Sequence, residues 1–329
     1  MIIILTHKID LCADLAIPRL QARGQRVLRV NLEDYPLDIA LTYSLQSASA
    51  PRLTVYGKPH ELSDVRAVWY RVPFEYSVRR WAEDYQLTRF IEASCNHIWY
   101  PLEFFLNDCF WLDRPISVIG ASYKLRQLQV ASRIGLQVPK TCATNDPEAA
   151  RSFYESLGHK VAIKTMCGGG IRDGENVNVV YTNRVTQADM KHIDSVRECP
   201  CQFQEYIPKA YELRVIVVAD QTFAIEIHSQ QSEKAKHDWR HYDLDNVPHA
   251  PHQLPSDIHD KCVALTEALG LHYGAIDMIV TSGGDYIFLE INPTGQYQWL
   301  EALTGLPITD ALVELLSSQC APTDAGDCR

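Results

Sequence analysis

Apolar positions along the chain fall into stretches of different rhythm. Over the first ~120 residues, short apolar runs alternate with amphipathic segments. MIIIL (1–5), QRVLRV (25–30) and RAVWYRV (66–72) read as strands. ADLAIPRLQARG (13–24) and SVRRWAEDYQLTRFIEAS (77–94) read as helices, the first stopping at Gly24. This βαβ rhythm predicts an open sheet with helices on its faces. Pro115 and Gly120 interrupt the pattern. A helix YKLRQLQVASRI follows, with Ser122 as its cap and Gly135 as its stop. The next helix has Asp146 as cap, Pro147 at its first position and an end at Gly158. Then come a strand KVAIKTM, a loop CGGGIRDG and a strand NVNVVYT.

The last third is strand-rich. CQFQEYI, YELRVIVVA and QTFAIEIH predict antiparallel strands, and residues 229–254 read as polar and irregular. A helix SDIHDKCVALTEALG precedes a hairpin of AIDMIVT and DYIFLEIN around Gly283-Gly284. A helix ITDALVELLSS and a frayed tail close the chain. The class is α/β (α+β), with units expected at 1–117, 118–203 and 204–319 and a tail at 320–329.

Composition narrows the function. The chain has 329 residues, 46% of them hydrophobic, which excludes disorder and calls for two or three lobes. A net charge of −10 argues against nucleic acid as partner, while leaving room for a local basic pocket. The ten cysteines form no CxxC pair, so zinc is disfavoured and reduced thiols of a cytoplasmic protein are expected. MIIIL is too short for a signal peptide, and no apolar run reaches the ~18 residues of a membrane helix. THKIDLC after the first strand contains no glycine, which disfavours a dinucleotide fold.

The chemistry begins with FLEINPTGQ (288–296), where Glu290 and Asn292 interrupt an apolar strand. Residues two apart share a strand face, and Asp277 sits in the partner strand of the hairpin. Three such oxygen donors among apolar neighbours point to a hard divalent cation, Mg²⁺, bound with substrate phosphates. The plainer alternative has Asp277 capping a turn and Glu290 paired with a lysine. Lys124 begins a helix, and Lys164 lies in an apolar strand directly before Gly168-Gly169-Gly170. Together they suit a nucleotide's phosphates, against the alternative of a merely flexible loop. Gln204, Glu205 and Ile207 end a strand at Pro208, where freed backbone groups can read an adenine edge. Glu212 and Arg214 share the next strand's face; they suit ribose hydroxyls and a transferring phosphate, or form an exposed ion pair.

This order of residues resembles that of the ATP-grasp carboxylate–amine ligases, from about residue 115 to 315. Within them the chain resembles the microviridin-type (graspetide) peptide macrocyclases. That likeness rests on AVWYRVP (67–73), RPISVIGASYKLRQLQVASRIGLQVPKT (114–141), HDWRHYDLDN (237–246) and EINPTGQYQWLEALTGLPI (290–308). The resemblance implies an ATP-grasp fold behind an N-terminal open α/β pre-ATP-grasp domain. It implies ATP at Lys124, Lys164, Gly168–Gly170, Gln204, Glu205, Ile207 and Glu212, and Mg²⁺ at Asp277, Glu290 and Asn292. Arg214 would stabilise the transferring phosphate, with Arg240, Asp238 and Asp243 beside the acceptor. The helix around Gln187–Asp194, with Asp189 and His192 one turn apart, would dock the leader of a ribosomally made precursor; the default for it is a solvated helix face. The glycine loop and residues 229–254 are candidate lids. A homodimer, without membrane or nucleic-acid partners, is implied as well. The product would be ω-ester rings in preference to ω-amide rings. A ligase adding free amino acids, like the ribosomal-protein glutamate ligases, and a non-catalytic nucleotide-binding module are the rival readings.

Overall fold

Hydrophobic alternation becomes three sheet-based units in the computed structural model, which describes residues 1–45, 51–71, 76, 85–167, 170–173, 176–232 and 247–320, with backbone alone at 171–179. The first unit contains β1 (Ile2–Thr6), α1 (Leu11–Ala22), β2 (Val27–Asn31), β3 (Ile39–Thr42), β4 (Arg52–Val55) and β5 (Lys58–Glu61). It continues with β6 (Ala67–Tyr70), α2 (Tyr85–Trp99), α3 (Leu102–Phe105) and β7 (Phe110–Leu112). Four strands pair in parallel in the order β2-β1-β6-β7, and β3-β4-β5 form a separate antiparallel meander. β1 is buried on both faces, which is why it reads as an unbroken apolar run. Of the longer predicted helix, residues 77–84 lie outside the described residues.

Two helices connect to the second unit: α4 (Pro115–Ala121) and α5 (Lys124–Ile134). The predicted boundary at 117/118 falls inside α4. Ser122 does not cap α5; its hydroxyl donates back to the Val118 carbonyl at 2.8 Å, closing α4, and Tyr123 takes the cap position. Gly135 does end α5, at φ +89°, a conformation that costs glycine little. The second unit comprises β8 (Thr141–Thr144), α6 (Pro147–Ser156), β9 (Val161–Thr165), β10 (Gly170–Asp173), β11 (Asn176–Val179), β12 (Asn183–Arg184) and β13 (Cys201–Glu205). Asp146 caps α6 through the Glu148 N–H at 3.0 Å, as the Asp-Pro pair predicts. The order is β12-β9-β13-β8. β13 crosses the predicted 203/204 boundary, because its ladder with β9 runs to Glu205.

The third unit is a five-stranded antiparallel sheet, β16-β15-β14-β17-β18, followed by two closing helices. Its elements are β14 (Tyr211–Val218), β15 (Gln221–Ile227), β16 (His249–His252), α7 (Ser256–Ala268), β17 (Tyr273–Val280), β18 (Tyr286–Asn292), α8 (Gln298–Thr304) and α9 (Ile308–Ser318). β16 corrects part of the irregular segment expected at 229–254: His249–His252 pair with Ile227–Ala224 along the sheet edge. One sheet face packs Val215, Ile276, Met278 and Phe288 against α5 and α7. The other packs Ile216, Val218 and Ala275 with α1, α9 and the N-terminal strands.

The first and third units also meet through a polar contact. Asp113, buried, accepts from the backbone N–H groups of His272 (2.6 Å) and Tyr273 (3.1 Å) and lies 3.0 Å from His272 Nδ1. Burial pushes the Asp113 carboxyl up against these donors. Its hydrogen bond raises the pKa of half-exposed His272. A histidine raised on folding contributes stability that is complete below the ordinary value near ~6.5 and is lost as pH rises through the folded value. His272→Asn is therefore expected to flatten the fall in urea midpoint above that pH; an unchanged pH profile would contradict this role.

Candidate functional site

Backbone register puts the predicted donors together. In the β14/β17 ladder Arg214 stands opposite Asp277, and in the β17/β18 ladder Asp277 faces Glu290 and Ala275 faces Asn292. Opposed residues share a face, so all four charged or amide side chains project from one side of the sheet. A strict period of two would put Phe288 there too. The register skips Leu289 between the Glu290 and Phe288 pairs, a β-bulge. The extra residue turns Phe288, fully buried, into the opposite core and leaves Glu290 facing the site.

Arg214 and Asp277 are 5% and 7% exposed, and Nη1 donates to both carboxylate oxygens at 2.7 Å. Burial works against the arginine's charge, but Asp277 outweighs it and holds the guanidinium above its ordinary value. Asn292 Nδ2 donates to Asp277 Oδ2 at 3.2 Å. Asp277 thus caps no turn. Nor do Glu212 and Arg214 form an exposed pair. Glu212, 4% exposed, is bonded by Lys209 and the Ser229 hydroxyl instead. Burial pushes the Glu212 carboxyl up, against the opposing pull of Lys209.

Facing this sheet are the two predicted lysines. Lys124 opens α5, where a cation opposes the helix dipole unless an anion sits nearby. Its Nζ lies 3.6 Å from Glu290 Oε2 and donates to the Thr165 carbonyl at 3.1 Å. The lysine partner of the plainer reading of Glu290 is therefore present, and it is itself one of the phosphate candidates. Lys124, Lys164, Thr165, Cys167, Glu290 and Asn292 line one cavity of 370 Å³. Gly170 begins β10 close by in sequence, while Gly168 and Gly169 lie outside the described residues.

Sequence reasoning missed Gln127. Buried on α5 one turn after Lys124, it donates to the carbonyls of Ala121 (2.6 Å) and Ile291 (2.8 Å) and accepts from the Ile291 N–H (3.1 Å). It ties the lysine's helix to the strand carrying Glu290 and Asn292. A glutamine at a core position of an amphipathic helix was the available signal. The predicted adenine edge is only partly free. Gln204 is buried in the ladder and donates to the Thr141 hydroxyl at 3.1 Å. The Glu205 N–H donates to the Lys140 carbonyl at 2.8 Å, so among these three residues only Ile207 lies beyond the strand.

Asp189 and His192 are not on an α-helix. Asp189–Arg197 is a 3₁₀ segment broken at His192, and Asp189 accepts from the Thr186 N–H and hydroxyl at 2.8 and 2.7 Å. Both residues line a second cavity, of 730 Å³, with Ile163, Met190, Val196 and Phe203. Asp238, Arg240 and Asp243, like the central part of the predicted 229–254 lid, lie outside the described residues.

The donor set suits Mg²⁺ in one respect: hard oxygens of Asp277, Glu290 and Asn292 share one face beside a cation-lined cavity. Among the described residues no group of three or more His, Cys, Asp or Glu is placed to hold a metal. A metal here would need ligands from a substrate, as Mg²⁺ commonly takes from phosphates.

Residues 1–114 match the family model of the MvdD pre-ATP grasp domain, and residues 121–316 that of the RimK-like ATP-grasp domain. Among solved structures, the chain is 32% identical to macrocyclase MdnC from Microcystis aeruginosa MRC, bound with precursor peptide MdnA; the match covers 96% of this chain and 99% of MdnC, at a TM-score of 0.85. A RiPP-associated ATP-grasp ligase from Chryseobacterium gregarium, in complex with ADP and a leader and core peptide, is 34% identical over 97% of this chain and 96% of its own, at a TM-score of 0.86. A curated relative, a probable alpha-L-glutamate ligase of Cellvibrio japonicus, is 23% identical over 238 residues, 70% of this chain and 76% of that protein.

Proposed function

Since this chain belongs to the RimK-like ATP-grasp ligases and, among them, to the peptide macrocyclases with an MvdD-type pre-ATP-grasp domain, we propose that it closes side-chain rings in a ribosomally made precursor peptide at the expense of ATP. What carries this reading is the convergence of Arg214, Asp277, Glu290 and Asn292 on one sheet face opposite Lys124.

A carboxylate resists attack because its charge repels nucleophiles and its oxygen leaves poorly. Transfer of the γ-phosphoryl group of ATP to an Asp or Glu side chain gives an acyl phosphate and ADP, removing both obstacles. Lys124 and Lys164, with Gly168–Gly170, hold the phosphates; Gln204, Glu205 and Ile207 flank the adenine, and Glu212 the ribose. Asp277, Glu290 and Asn292 would hold Mg²⁺, which would supply charge neutralisation during phosphoryl transfer. Arg214 meets the charge that develops on the transferring group and on the tetrahedral oxygen. A Ser or Thr hydroxyl, or a Lys amine, of the same peptide then attacks. The new ester or amide bond forms as the C–O bond to phosphate breaks, and the nucleophile's proton passes to the departing phosphate. Holding both groups in one site makes the attack effectively unimolecular. The acceptor roles expected of Asp238, Arg240 and Asp243 fall on residues outside the described ones.

The 730 Å³ cavity beside Asp189 and His192 docks the leader: its apolar lining suits an apolar leader face, and Asp189 suits a basic residue at the rim. Asp189→Ala is expected to weaken leader binding severalfold with little change in ATP-dependent ADP release on a leaderless core at high concentration; unchanged leader affinity, read by fluorescence anisotropy, would move the dock elsewhere. The protein acts as a homodimer, for which exposed Ile116, Ile119 and Tyr123 supply apolar surface and light scattering is the check. The defining experiment incubates the protein with ATP, Mg²⁺ and a leader-bearing peptide rich in Thr/Ser and Asp/Glu. Loss of one water mass per ring supports the reading, a mass gain supports amino-acid addition, and no ADP with any acceptor supports a non-catalytic module. Among the described residues no helix is long and apolar enough to cross a membrane.

A further inference from the structure

The mechanism above gives the N-terminal unit no part in the chemistry, yet one of its buried cations reaches the ligase centre. Arg71, directly after β6, is 2% exposed. Its Nη1 donates to the Thr294 carbonyl at 2.6 Å, and its Nη2 to Gln296 Oε1 at 2.8 Å and to the Gly295 carbonyl at 3.5 Å. Asp10, wholly buried, stands 3.5 Å from its Nε and is itself fixed by the Thr6 hydroxyl at 2.6 Å. The Cys12 thiol donates to the same Gln296 oxygen at 3.0 Å. From the sheet side, the Tyr273 hydroxyl donates to the Gly295 carbonyl at 2.6 Å.

The turn so held begins two residues after Asn292, at Thr294. Gly295 shows how closely it is packed. A Cβ there would stand 2.6 Å from Ala275 Cβ, 2.8 Å from Arg214 Nη2 and 3.3 Å from Asn292 Cβ. Only a residue without Cβ lets the turn lie against the arginine and the amide at this distance. A planar guanidinium spans two carbonyls and a side-chain amide at once; an ammonium does not.

We infer that Arg71 is a positioning residue of the ligase centre: by fixing the 294–296 turn, the N-terminal unit sets where Arg214 and Asn292 stand during the chemical step. The inference rests on the assignment of that centre to ATP-dependent ring closure.

The test compares wild type, Arg71→Lys and Tyr273→Phe for kcat and KM in precursor cyclisation, with leader affinity and thermal unfolding measured on the same preparations. Small displacements of reacting groups cost up to about 100-fold in rate. Arg71→Lys should therefore lower kcat about 10- to 100-fold, and Tyr273→Phe in the same direction, with leader affinity and peptide KM little changed. The double variant should lose less than the product of the two, because both hold one turn. Loss of leader affinity in step with kcat, multiplicative effects, or wild-type kcat in Arg71→Lys overturns the inference. Where Arg71→Lys does not fold, Gln296→Met decides the matter: it removes the side-chain acceptor of Arg71 Nη2, and wild-type kcat there overturns the inference. If wild type closes no ring, the assigned reaction fails first. A crystal structure of Arg71→Lys, or of Gln296→Met where that does not fold, then tests the clamp alone: a displaced turn and Arg214 support it, and both at their wild-type positions overturn it.

Discussion

Glu290→Ala is expected to lower ring formation by about 10²- to 10³-fold: a carboxylate that would hold Mg²⁺ is lost, and with it charge neutralisation during phosphoryl transfer, on the scale of losing one electrostatic stabiliser of a transition state. The fold should survive this change. Glu290 is partly exposed, and its link to Lys124 spans 3.6 Å between side chains 20% and 16% exposed. The contact is long, and without Glu290 the Lys124 ammonium still donates to the Thr165 carbonyl, so little stability should be lost. Leader binding should also survive, because the cavity near Asp189 is lined by other residues. Glu290→Gln keeps an oxygen donor without the charge and should fall between wild type and alanine. Mass spectrometry of the peptide and ADP release together read the result. Cyclisation by Glu290→Ala at the wild-type rate would remove Glu290 from the metal set.

Asp277→Ala should abolish ring formation and also destabilise the protein. Arg214 is 5% exposed, and its Nη1 donates to both carboxylate oxygens of Asp277 at 2.7 Å. Removing one partner of a buried pair leaves an uncompensated charge and costs about 3–5 kcal/mol. Chemical denaturation should show a loss of that order in the third unit. Arg214→Met combined with Asp277→Leu replaces both charges with apolar groups of similar volume, and such exchanges are often neutral for stability. The double variant should regain most of the lost stability and none of the activity. Recovery of activity alongside stability would mean that the pair only holds the sheet together. Equal instability in both variants would mean that packing, not an orphaned charge, sets the cost.

Much of the site was legible because its key relations are local. The i, i+2 spacing of Glu290 and Asn292, and a hairpin returning Asp277 beside them, follow from strand geometry alone. Asp146-Pro147 and Gly135 declared helix ends through rules that act within one turn. Three other features were hidden for a common reason. Leu289 reads like any strand residue, and its bulge exists because both the core around Phe288 and the site around Glu290 must be served. Glu212 and Arg214 look like each other's partners along β14. Across the strands, Asp277 is in register with the arginine, while the glutamate is bonded by Lys209, three residues before it, and by Ser229 beyond β15. His249–His252 looks irregular, and it becomes a strand only because β15 offers it an edge.

The sequence by itself determined the strand and helix rhythm, the gathering of Asp277, Glu290 and Asn292 on one hairpin face, and the family resemblance, since periodicity and short spacings act along the chain. The tertiary structure alone decided which charge neutralises which, that Gln127 ties α5 to β18, and that Arg71 grips a turn 223 residues away. Such pairings depend on how separate units pack, and the free energy of burying a charge is fixed by the partner that packing brings to it.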